Sequence, residues 1–382
     1  MKIIIHIGTH KTGTSSIQNF LASNLEQLSR QKIYYPLGPY SGRNINFIAS
    51  RLVSGKTAEV QDFFKTAINY ADTKGLETVL VSAESLYAMT AFFRALQGIS
   101  VVDYWKHEKE CITRLANILP DIDISVYCYL RRQDEFIESI YNQFVKQACG
   151  YSGNISNFIK QSDPVADYFH HLELWSEIFG NSAIHARRFD DAGRQLIPDF
   201  MHYVLSIDDM DGFTTLNKLV NERLNMQVLE FKRILNKIKQ HPSESYVSSR
   251  ILRKISNDMD NQNLDYSLFD ICDRQKILSS FETGNSRLAK TYLNPPEDIL
   301  FVQPLEEEDT SKKWVGLDTT SALQIFYLYR NAVNKLPVRL EIFFRSNVND
   351  LLRRFPQLEH MIIGIRKYIS RRRVRQEREG LV

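Results

Sequence analysis

The first 190 residues alternate short apolar runs with amphipathic helical patterns, and this alternation limits the fold more than any other feature. The clearest strand candidates are residues 2–7, 78–82 and 124–130. Strands that alternate with helices form a parallel sheet covered on both faces. We therefore predict an α/β fold with a parallel sheet flanked by helices. Further strands are predicted over 33–35 and 183–189, and helices over 13–28, 57–74, 104–119, 134–148 and 165–179.

After residue 195 the pattern becomes mostly helical, so we predict a helical C-terminal half. Its predicted helices cover residues 222–239, 269–292, 319–335 and 339–353. Prolines and an acidic run between residues 294 and 313 indicate a loop or linker. We predict an α/β domain over 1–302, whose helical portion begins at about 195. A linker over 303–318 and a helical C-terminal extension over 319–382 with a basic tail follow.

The charge distribution argues against a nucleic-acid partner. Lys and Arg total 48 and Asp and Glu total 45, which gives a formal net charge of +3. This excess is local, because residues 366–382 hold seven basic and two acidic side chains. A nucleic-acid-binding domain usually carries a broader basic surface.

The cysteines and the apolar runs predict a cytoplasmic protein without a structural metal. No apolar run approaches the roughly 18 residues that a membrane span needs. The four cysteines are scattered without a C-x-x-C pair. That spacing argues against a zinc site or a disulfide framework and suits a reducing compartment.

The first strand candidate leads directly into a glycine loop and a helix, in the run I-I-H-I-G-T-H-K-T-G-T-S-S-I-Q (residues 4–18). Glycines allow a tight turn in which successive N–H groups point into one concavity, and a helix N-terminus adds partial positive charge. Lys11 adds a full charge, and hydroxyl donors come from Thr12, Thr14, Ser15 and Ser16. This order predicts a phosphate-binding loop.

The loop differs from that of ATP- and GTP-binding proteins, G-x-x-x-x-G-K-[ST]. Gly8 and Gly13 have the right separation, but Thr14 occupies the lysine position and the lysine is Lys11, inside the loop. A lysine at that place lies closer to the first phosphate than to the end of a triphosphate. The alternatives are a P-loop kinase or NTPase and a simple strand–helix turn.

A second anion-binding candidate follows the predicted strand 124–130. Arg131 comes at the carboxyl end of this strand, and Ser139 lies eight residues later on the predicted helix. A guanidinium and a hydroxyl can bind one phosphate through charge-assisted hydrogen bonds of roughly 1.5–3 kcal/mol each. The alternative is a surface arginine near an unrelated helix serine.

Together, K-T-G-T-S after the first strand and R-x₇-S-x-Y after a later one resemble the sulfotransferases that use 3′-phosphoadenosine 5′-phosphosulfate (PAPS). G-T-H-K-T-G-T and L-R-R-Q-D are similar to the bacterial branch of that family, and the resemblance covers residues 1 to about 302. The chain departs from the common pattern at Gln133, where proline is usual, and at His10, where proline or glutamine is usual. The resemblance implies a P-loop-type fold.

The resemblance also implies which residues hold the donor. The 5′-phosphosulfate would be held by Lys11, Thr12, Gly13, Thr14 and Ser15. The 3′-phosphate would be held by Arg131 and Ser139. Two separate phosphate groups require two anion sites, and no metal ion is expected.

The implied reaction moves a sulfuryl group from PAPS to an acceptor hydroxyl or amine. Lys11 would stabilise the charge that develops on the leaving 5′-phosphate. The acceptor hydroxyl also needs a general base. The first candidate is Glu84, just past the predicted strand 78–82, and the second is His10.

The resemblance implies a carbohydrate or glycan-lipid acceptor, whose pocket the helical portion after residue 195 would shape. Residues 338–378 mix apolar side chains with arginines, which predicts peripheral contact with the inner membrane face. The alternative for this segment is a packing helix with a solvated basic end. The alternatives to a sulfotransferase are a P-loop kinase or NTPase and a non-catalytic nucleotide- or glycan-binding module.

Overall fold

The computed structural model describes most of the chain before residue 336. The described residues are 1–38, 45–89, 100–147, 150–192, 195–214, 224–238, 242–259, 266–302, 312–335 and 338. The predicted helix 339–353, the basic tail and most of the predicted linker lie outside the described residues.

A five-stranded parallel sheet forms the centre of the α/β part, as the sequence predicts. The strands are β1 (Lys2–His6), β2 (Ile33–Tyr34), β3 (Thr78–Ser82), β4 (Asp123–Leu130) and β5 (Ile184–Arg188), in the order β2-β3-β1-β4-β5. In the central strand, His6 lies opposite Ser82 of β3 and Tyr127 of β4. The α/β fold with a parallel sheet flanked by helices is therefore confirmed.

The continuous apolar run of β1 reflects a strand that is covered on both faces. Ile3 and Ile5 are fully buried, and Ile4 is 2% exposed. Alternate strand residues point to opposite faces of the sheet. On one face, Ile4 packs in a cluster with residues of other strands and of helices. Other members of that cluster are Ile17, Phe20, Leu80, Tyr129, Phe200 and Met201.

Helices occupy most of the remaining described chain. Those before residue 180 are α1 (Thr14–Ser23), α2 (Leu25–Arg30), α3 (Phe47–Val53), α4 (Thr57–Thr73), α5 (Val101–Ile118), α6 (Gln133–Lys146), α7 (Ile155–Ala166) and α8 (Tyr168–Phe179). Those after it are α9 (Phe189–Ala192), α10 (Leu196–Leu205), α11 (Met226–Leu235), α12 (Pro242–Asp258), α13 (Ile271–Tyr292) and α14 (Thr319–Val333). Two short 3-10 helices cover Glu84–Leu86 and Asn181–Ala183, and the two-residue strands β6 (Tyr266–Ser267) and β7 (Lys312–Lys313) form a second, small sheet.

Two predicted helices are interrupted or shortened in the structure by capping side chains. The predicted helix 13–28 is interrupted at Asn24, whose side chain donates to the Phe20 carbonyl and accepts from the Thr214 amide. The predicted helix 165–179 starts only at residue 168, because Asp167 caps α8 by accepting from the His170 amide. Helix α7, which precedes this cap, was not predicted.

The chain divides into two compact units, each made of several segments. The first contains 1–141, 154–222 and 267–313, and therefore the whole parallel sheet. The second contains 142–153, 223–266 and 314–382, with helices α11, α12 and α14. The predicted boundaries at about 195 and 302 stay a prediction.

No helix within the described ranges is both long and apolar enough to cross a lipid bilayer.

A buried ionic cluster joins the start of α6 to α13 within the first unit. Arg274 of α13 donates to Asp134 at 2.6 Å and to Glu138 at 3.1 Å, and Arg132 donates to Asp134 at 2.8 Å. Asp134 is fully buried, and Glu138 is 2% exposed. Burial raises the pKa of Asp134, but hydrogen bonds and charge from Arg132 and Arg274 outweigh it and hold the pKa below its ordinary value.

Replacing Arg274 by alanine should destabilise the protein by about 3–5 kcal/mol, because it removes one cation from two buried carboxylates, those of Asp134 and Glu138. Arg287→Ala is the matched control on the same helix. The side chain of Arg287 is 62% exposed, and that of its partner Glu173 is 38% exposed, so the expected loss is under about 1 kcal/mol. Urea unfolding measures both, and equal losses would contradict a structural role for the cluster.

Candidate functional site

The carboxyl ends of the parallel strands lie at one edge of the sheet, and the predicted site residues follow them. The glycine loop follows β1, Glu84 follows β3, and Arg131 follows β4. In open parallel sheets this is the edge where ligands bind. The fold therefore places these predicted site residues at one edge.

The loop after β1 has a special backbone. Gly8, Lys11 and Gly13 have φ angles of 48°, 70° and 72°. A residue other than glycine in this left-handed region costs of order 1–3 kcal/mol, and such strain concentrates at functional sites. The Thr9 amide and hydroxyl both donate to the Tyr129 carbonyl, at 3.1 and 2.9 Å, so β4 fixes the start of the loop.

Two buried polar atoms face the backbone of Gly8. A Cβ atom on Gly8 would lie 3.0 Å from Thr14 Oγ1 and 3.3 Å from His6 Nε2. Both atoms are buried, and among the described residues neither has a hydrogen-bond partner. The other ring nitrogen of His6 contacts Ser82 Oγ at 2.9 Å. Buried polar atoms normally have partners, so the interior of the loop fits a polar ligand such as a phosphate.

Gly13 lies where the loop meets both α1 and α10. A Cβ atom there would lie 2.2 Å from Leu196 Cδ2 and 3.6 Å from Phe189 Cε2. Its carbonyl accepts from the Ser16 amide at 2.8 Å and thereby starts α1. Only a residue without a side chain fits this place without a shift of Leu196.

Arg131 shares an aromatic neighbour with the glycine loop. Its guanidinium carbon lies 5.8 Å from the centroid of the Phe189 ring, the same ring that approaches Gly13. The structure thus brings Arg131 near the loop, although 118 positions separate it from Gly13 in sequence. The guanidinium also donates to Glu135 Oε2 at 2.8 Å.

Ser139 is partly exposed and lies in α6, whereas Arg131 precedes that helix by two residues. Residues spaced by four positions lie along one side of a helix, so Ser139 follows Glu135, the partner of Arg131, on the same side of α6. The binding roles of Arg131 and Ser139 stay a prediction, as do those of Lys11, Thr12, Gly13, Thr14 and Ser15.

Glu84 is held by side chains from two other elements. Gln18 Nε2 donates to Glu84 Oε2 at 2.8 Å and to the Ser82 carbonyl at 3.0 Å. Asn46 Nδ2 donates to Glu84 Oε1 at 3.3 Å. Gln18 belongs to α1, the helix that starts at the loop, so Glu84 is tied to the candidate phosphate site.

Gln18 and Asn46 are site residues that sequence reasoning missed. The available signal for Gln18 was a polar residue beside the apolar positions Ile17 and Leu21 of α1. It is 5% exposed, and a buried amide requires partners. No comparable local signal marks Asn46.

Burial distinguishes the two candidate bases. His10 is 8% exposed, and burial together with the charge of Lys11 lowers its pKa to about 3. A general base works best when its pKa lies near the operating pH. This argues against His10 as the general base, and the identity of the base stays a prediction.

The arginines at the end of β5 have structural partners. Arg187 donates from Nε to both carboxylate oxygens of Asp199, at 3.1 Å. Arg188 is 9% exposed, binds the Glu297 carboxylate, and donates to the Ile299 carbonyl at 2.7 Å. They hold α10 and the chain after α13 against the sheet.

Across the described part of the chain, no group of three or more His, Cys, Asp or Glu side chains is arranged to hold a metal ion.

Comparisons with known proteins give limited similarity. No family model matches the chain. An uncharacterized protein of Archaeoglobus fulgidus is 27% identical over 184 residues, which cover 48% of this chain and 43% of that protein. The chain thus matches less than half the length of this relative.

A solved structure of a sulfotransferase from Alicyclobacillus acidocaldarius is similar with a TM-score of 0.35 and 13% sequence identity. The alignment covers 64% of this chain and 93% of that one. Similarity at this level assigns neither a reaction nor residue roles.

Gly13→Ala should cost more stability than Gly55→Ala, a matched control with the same φ of 72° and no atom near its Cβ position. The control isolates the left-handed backbone, which costs an alanine about 1–2 kcal/mol. The contact with Leu196 should add about 1 kcal/mol at position 13. Urea unfolding measures both, and Leu196→Ala should remove the difference. A Gly13→Ala loss no larger than the control would contradict the packing argument.

Stability should fall as the pH drops from 7.5 to 5.5. Burial lowers the pKa of His6, His10 and His171 to about 3, from 6.5. The unfolded chain therefore binds more protons below about pH 6.5, and stability is lost progressively toward pH 3. The expected loss at pH 5.5 is roughly 1 kcal/mol per histidine. Urea unfolding at both pH values measures it.

The share of one buried histidine in this pH dependence can be measured with a single variant. His171→Gln should reduce the loss of stability between pH 7.5 and 5.5 by roughly 1 kcal/mol, because His6 and His10 still contribute. A dependence that His171→Gln does not reduce would show that other groups cause it.

Proposed function

We propose that this protein is a sulfotransferase that uses PAPS as its donor. The observation that carries the proposal is the approach of Arg131 and Gly13 to one ring, that of Phe189. Two sequence motifs that each predict an anion site therefore lie side by side at the carboxyl edge of the sheet. A donor with phosphate groups at its 5′ and 3′ positions needs such a pair of sites.

The loop residues fit the 5′ end of this donor. Thr14 Oγ1 and His6 Nε2 face the Gly8 backbone, and the N-terminus of α1 adds partial positive charge there. Lys11 adds the full charge. When bound, the donor supplies the sulfuryl group and a phosphate leaving group.

The residues of the chain would perform three tasks in the transfer. Lys11 and the loop amides stabilise the negative charge that grows on the 5′-phosphate oxygen as the S–O bond to it breaks. Glu84 accepts the proton of the acceptor hydroxyl as that oxygen forms the new bond to sulfur. Gln18 and Asn46 orient Glu84 for this step. The products are a sulfate ester and 3′,5′-adenosine bisphosphate.

We propose a carbohydrate or glycan-lipid acceptor. The support is the resemblance of G-T-H-K-T-G-T and L-R-R-Q-D to the bacterial branch of the family. A donor-dependent sulfation screen over glycans, glycolipids and small alcohols tests this part of the proposal. Sulfation of small alcohols alone would contradict it.

We also propose that the C-terminal part of the chain contacts an anionic membrane surface. On α14, Leu323, Phe326 and Tyr327 are 64%, 51% and 64% exposed, at the spacing of one helix side. The chain after it, residues 339–382, holds 11 basic and five acidic side chains. Exposed apolar residues next to cations are typical of interfacial helices.

Flotation of the full chain with vesicles tests the membrane contact. Binding is expected with vesicles that contain phosphatidylglycerol and not with pure phosphatidylcholine, and it should weaken in high salt. No flotation with anionic vesicles would contradict it, and self-association instead would indicate a second copy on this helix.

Calorimetric titration tests the donor assignment. We expect 3′,5′-adenosine bisphosphate to bind without added metal, and ATP with magnesium to bind more weakly or not at all. Preference for ATP with magnesium would favour the alternative hypothesis, a P-loop kinase or NTPase. Bisphosphate binding without any transfer over the acceptor screen would favour a non-catalytic module.

Lys11→Ala should reduce turnover by roughly 10²–10³-fold, by analogy with removal of one oxyanion donor. The readout is transfer from radiolabelled donor to the acceptor found in the screen. Lys65→Ala, an exposed position of α4, is the control and should keep full turnover. Unchanged turnover in the Lys11 variant would reject its role.

Glu84→Gln should bind the bisphosphate normally and lose roughly 10²-fold or more in transfer, because the amide cannot accept the proton. Glu77→Gln, an exposed position just before β3, is the control and should remain active. Full activity of Glu84→Gln would move the role to His10, and a His10→Gln variant should then be inactive.

A further inference from the structure

Arg131, the arginine of the second anion motif, forms an ion pair with the carboxylate of Glu135. Arg131 donates to Glu135 Oε2 from Nε at 2.8 Å and from Nη2 at 2.7 Å. The two side chains are 25% and 29% exposed, so the ion pair is neither buried nor fully solvated. The other oxygen of Glu135 lies 3.6 Å from Arg132 Nη2. Glu135 therefore neutralises charge that an anionic ligand would need.

The position of Glu135 on α6 makes it a direct competitor for such a ligand. Arg131 lies two residues before α6 and contacts Glu135 in the first turn of that helix. Ser139 follows Glu135 by four positions, on the same side of α6. Glu135 is therefore adjacent, in space or along the helix, to both residues that are expected to bind one phosphate. A phosphate held by both must replace the carboxylate on Arg131 or lie against it.

The residues around the ion pair are fixed by other contacts, so only the side chains of Arg131 and Glu135 need to rearrange when a phosphate binds. Asp134 is fixed by Arg132 and Arg274. Gln133 and Asn285 exchange amide hydrogen bonds of 2.6 and 3.1 Å. The start of α6 is therefore anchored to α13. Arg132, with an 11% exposed side chain, remains close enough to hold Glu135 after Arg131 has turned to a ligand.

We propose that Glu135 is a specificity-determining residue that competes with the 3′-phosphate for Arg131. This rests on the proposed function, in which Arg131 and Ser139 bind the 3′-phosphate. A phosphate monoester carries about −1.5 to −2 charges and three acceptor oxygens, so it can replace a carboxylate on a guanidinium. Glu135 thereby lowers the affinity for nucleotides that carry a 3′-phosphate and does not affect those that lack it.

Calorimetric titration of Glu135→Gln with two probes tests the proposal. The affinity for 3′,5′-adenosine bisphosphate should rise about tenfold, because a negative charge beside the 3′-phosphate is removed. The affinity for 5′-AMP, which lacks that phosphate, should not change. Glu173→Gln is the matched control: its carboxylate pairs with Arg287 on the same unit, and both affinities should stay as in the wild type.

Arg131→Gln and the double variant show whether Glu135 acts through Arg131. The gain from Glu135→Gln should disappear in the Arg131→Gln background, and circular dichroism should show that all variants are folded. The proposal is overturned by equal or weaker bisphosphate binding in Glu135→Gln, by an equal gain for 5′-AMP, or by a gain that persists without Arg131.

A failure of the proposed function gives a different result. The wild type would then bind the bisphosphate no better than 5′-AMP, and neither Glu135→Gln nor Arg131→Gln would change the affinity for either probe. Bisphosphate binding that depends on Arg131 but not on Glu135 would remove only the role of Glu135.

Discussion

The parallel register of β1 with its two neighbours is the constraint on which the candidate site depends. Because His6 lies opposite Ser82 and Tyr127, the chain leaves β1 and β3 at the same level, and β4 continues in the same direction to Leu130. The Thr9 contacts with the Tyr129 carbonyl then fix the glycine loop beside the end of β4. Without this register, the loop, Glu84 and Arg131 would not share one edge of the sheet.

Charge is distributed unevenly over that edge. At the loop end, hydrogen-bond donors prevail, from the backbone of a strained turn and from the start of α1. At the start of α6, each arginine already has a carboxylate: Arg131 has Glu135 and Arg132 has Asp134. A ligand that reaches both places would meet the hydrogen-bond donors of the glycine loop at one of them. At the start of α6 it would have to replace Glu135 as the partner of Arg131.

Sequence reasoning succeeded where the signal was local. The apolar run of β1 and the spacing of Gly8 and Gly13 predicted the strand and the turn, because both depend on neighbouring residues. The Asn24 interruption depends on Thr214, and the anchor of α6 depends on Arg274, 140 positions from Asp134. Contacts over such separations leave no periodic pattern, and for the same reason the link from Gln18 to Glu84 was missed.

Helix α1 connects the two chemical ends of the candidate site. Its first residue, Thr14, presents a hydroxyl to the glycine loop, and Gln18, one turn later, holds Glu84. One turn of helix is nearly incompressible, since its backbone hydrogen bonds fix the rise per residue. If an anion moves the first turn of α1, the side chain of Gln18 moves with it, and so does its hydrogen bond to Glu84. A ligand or a mutation at the glycine loop is therefore expected to affect the position of Glu84 as well.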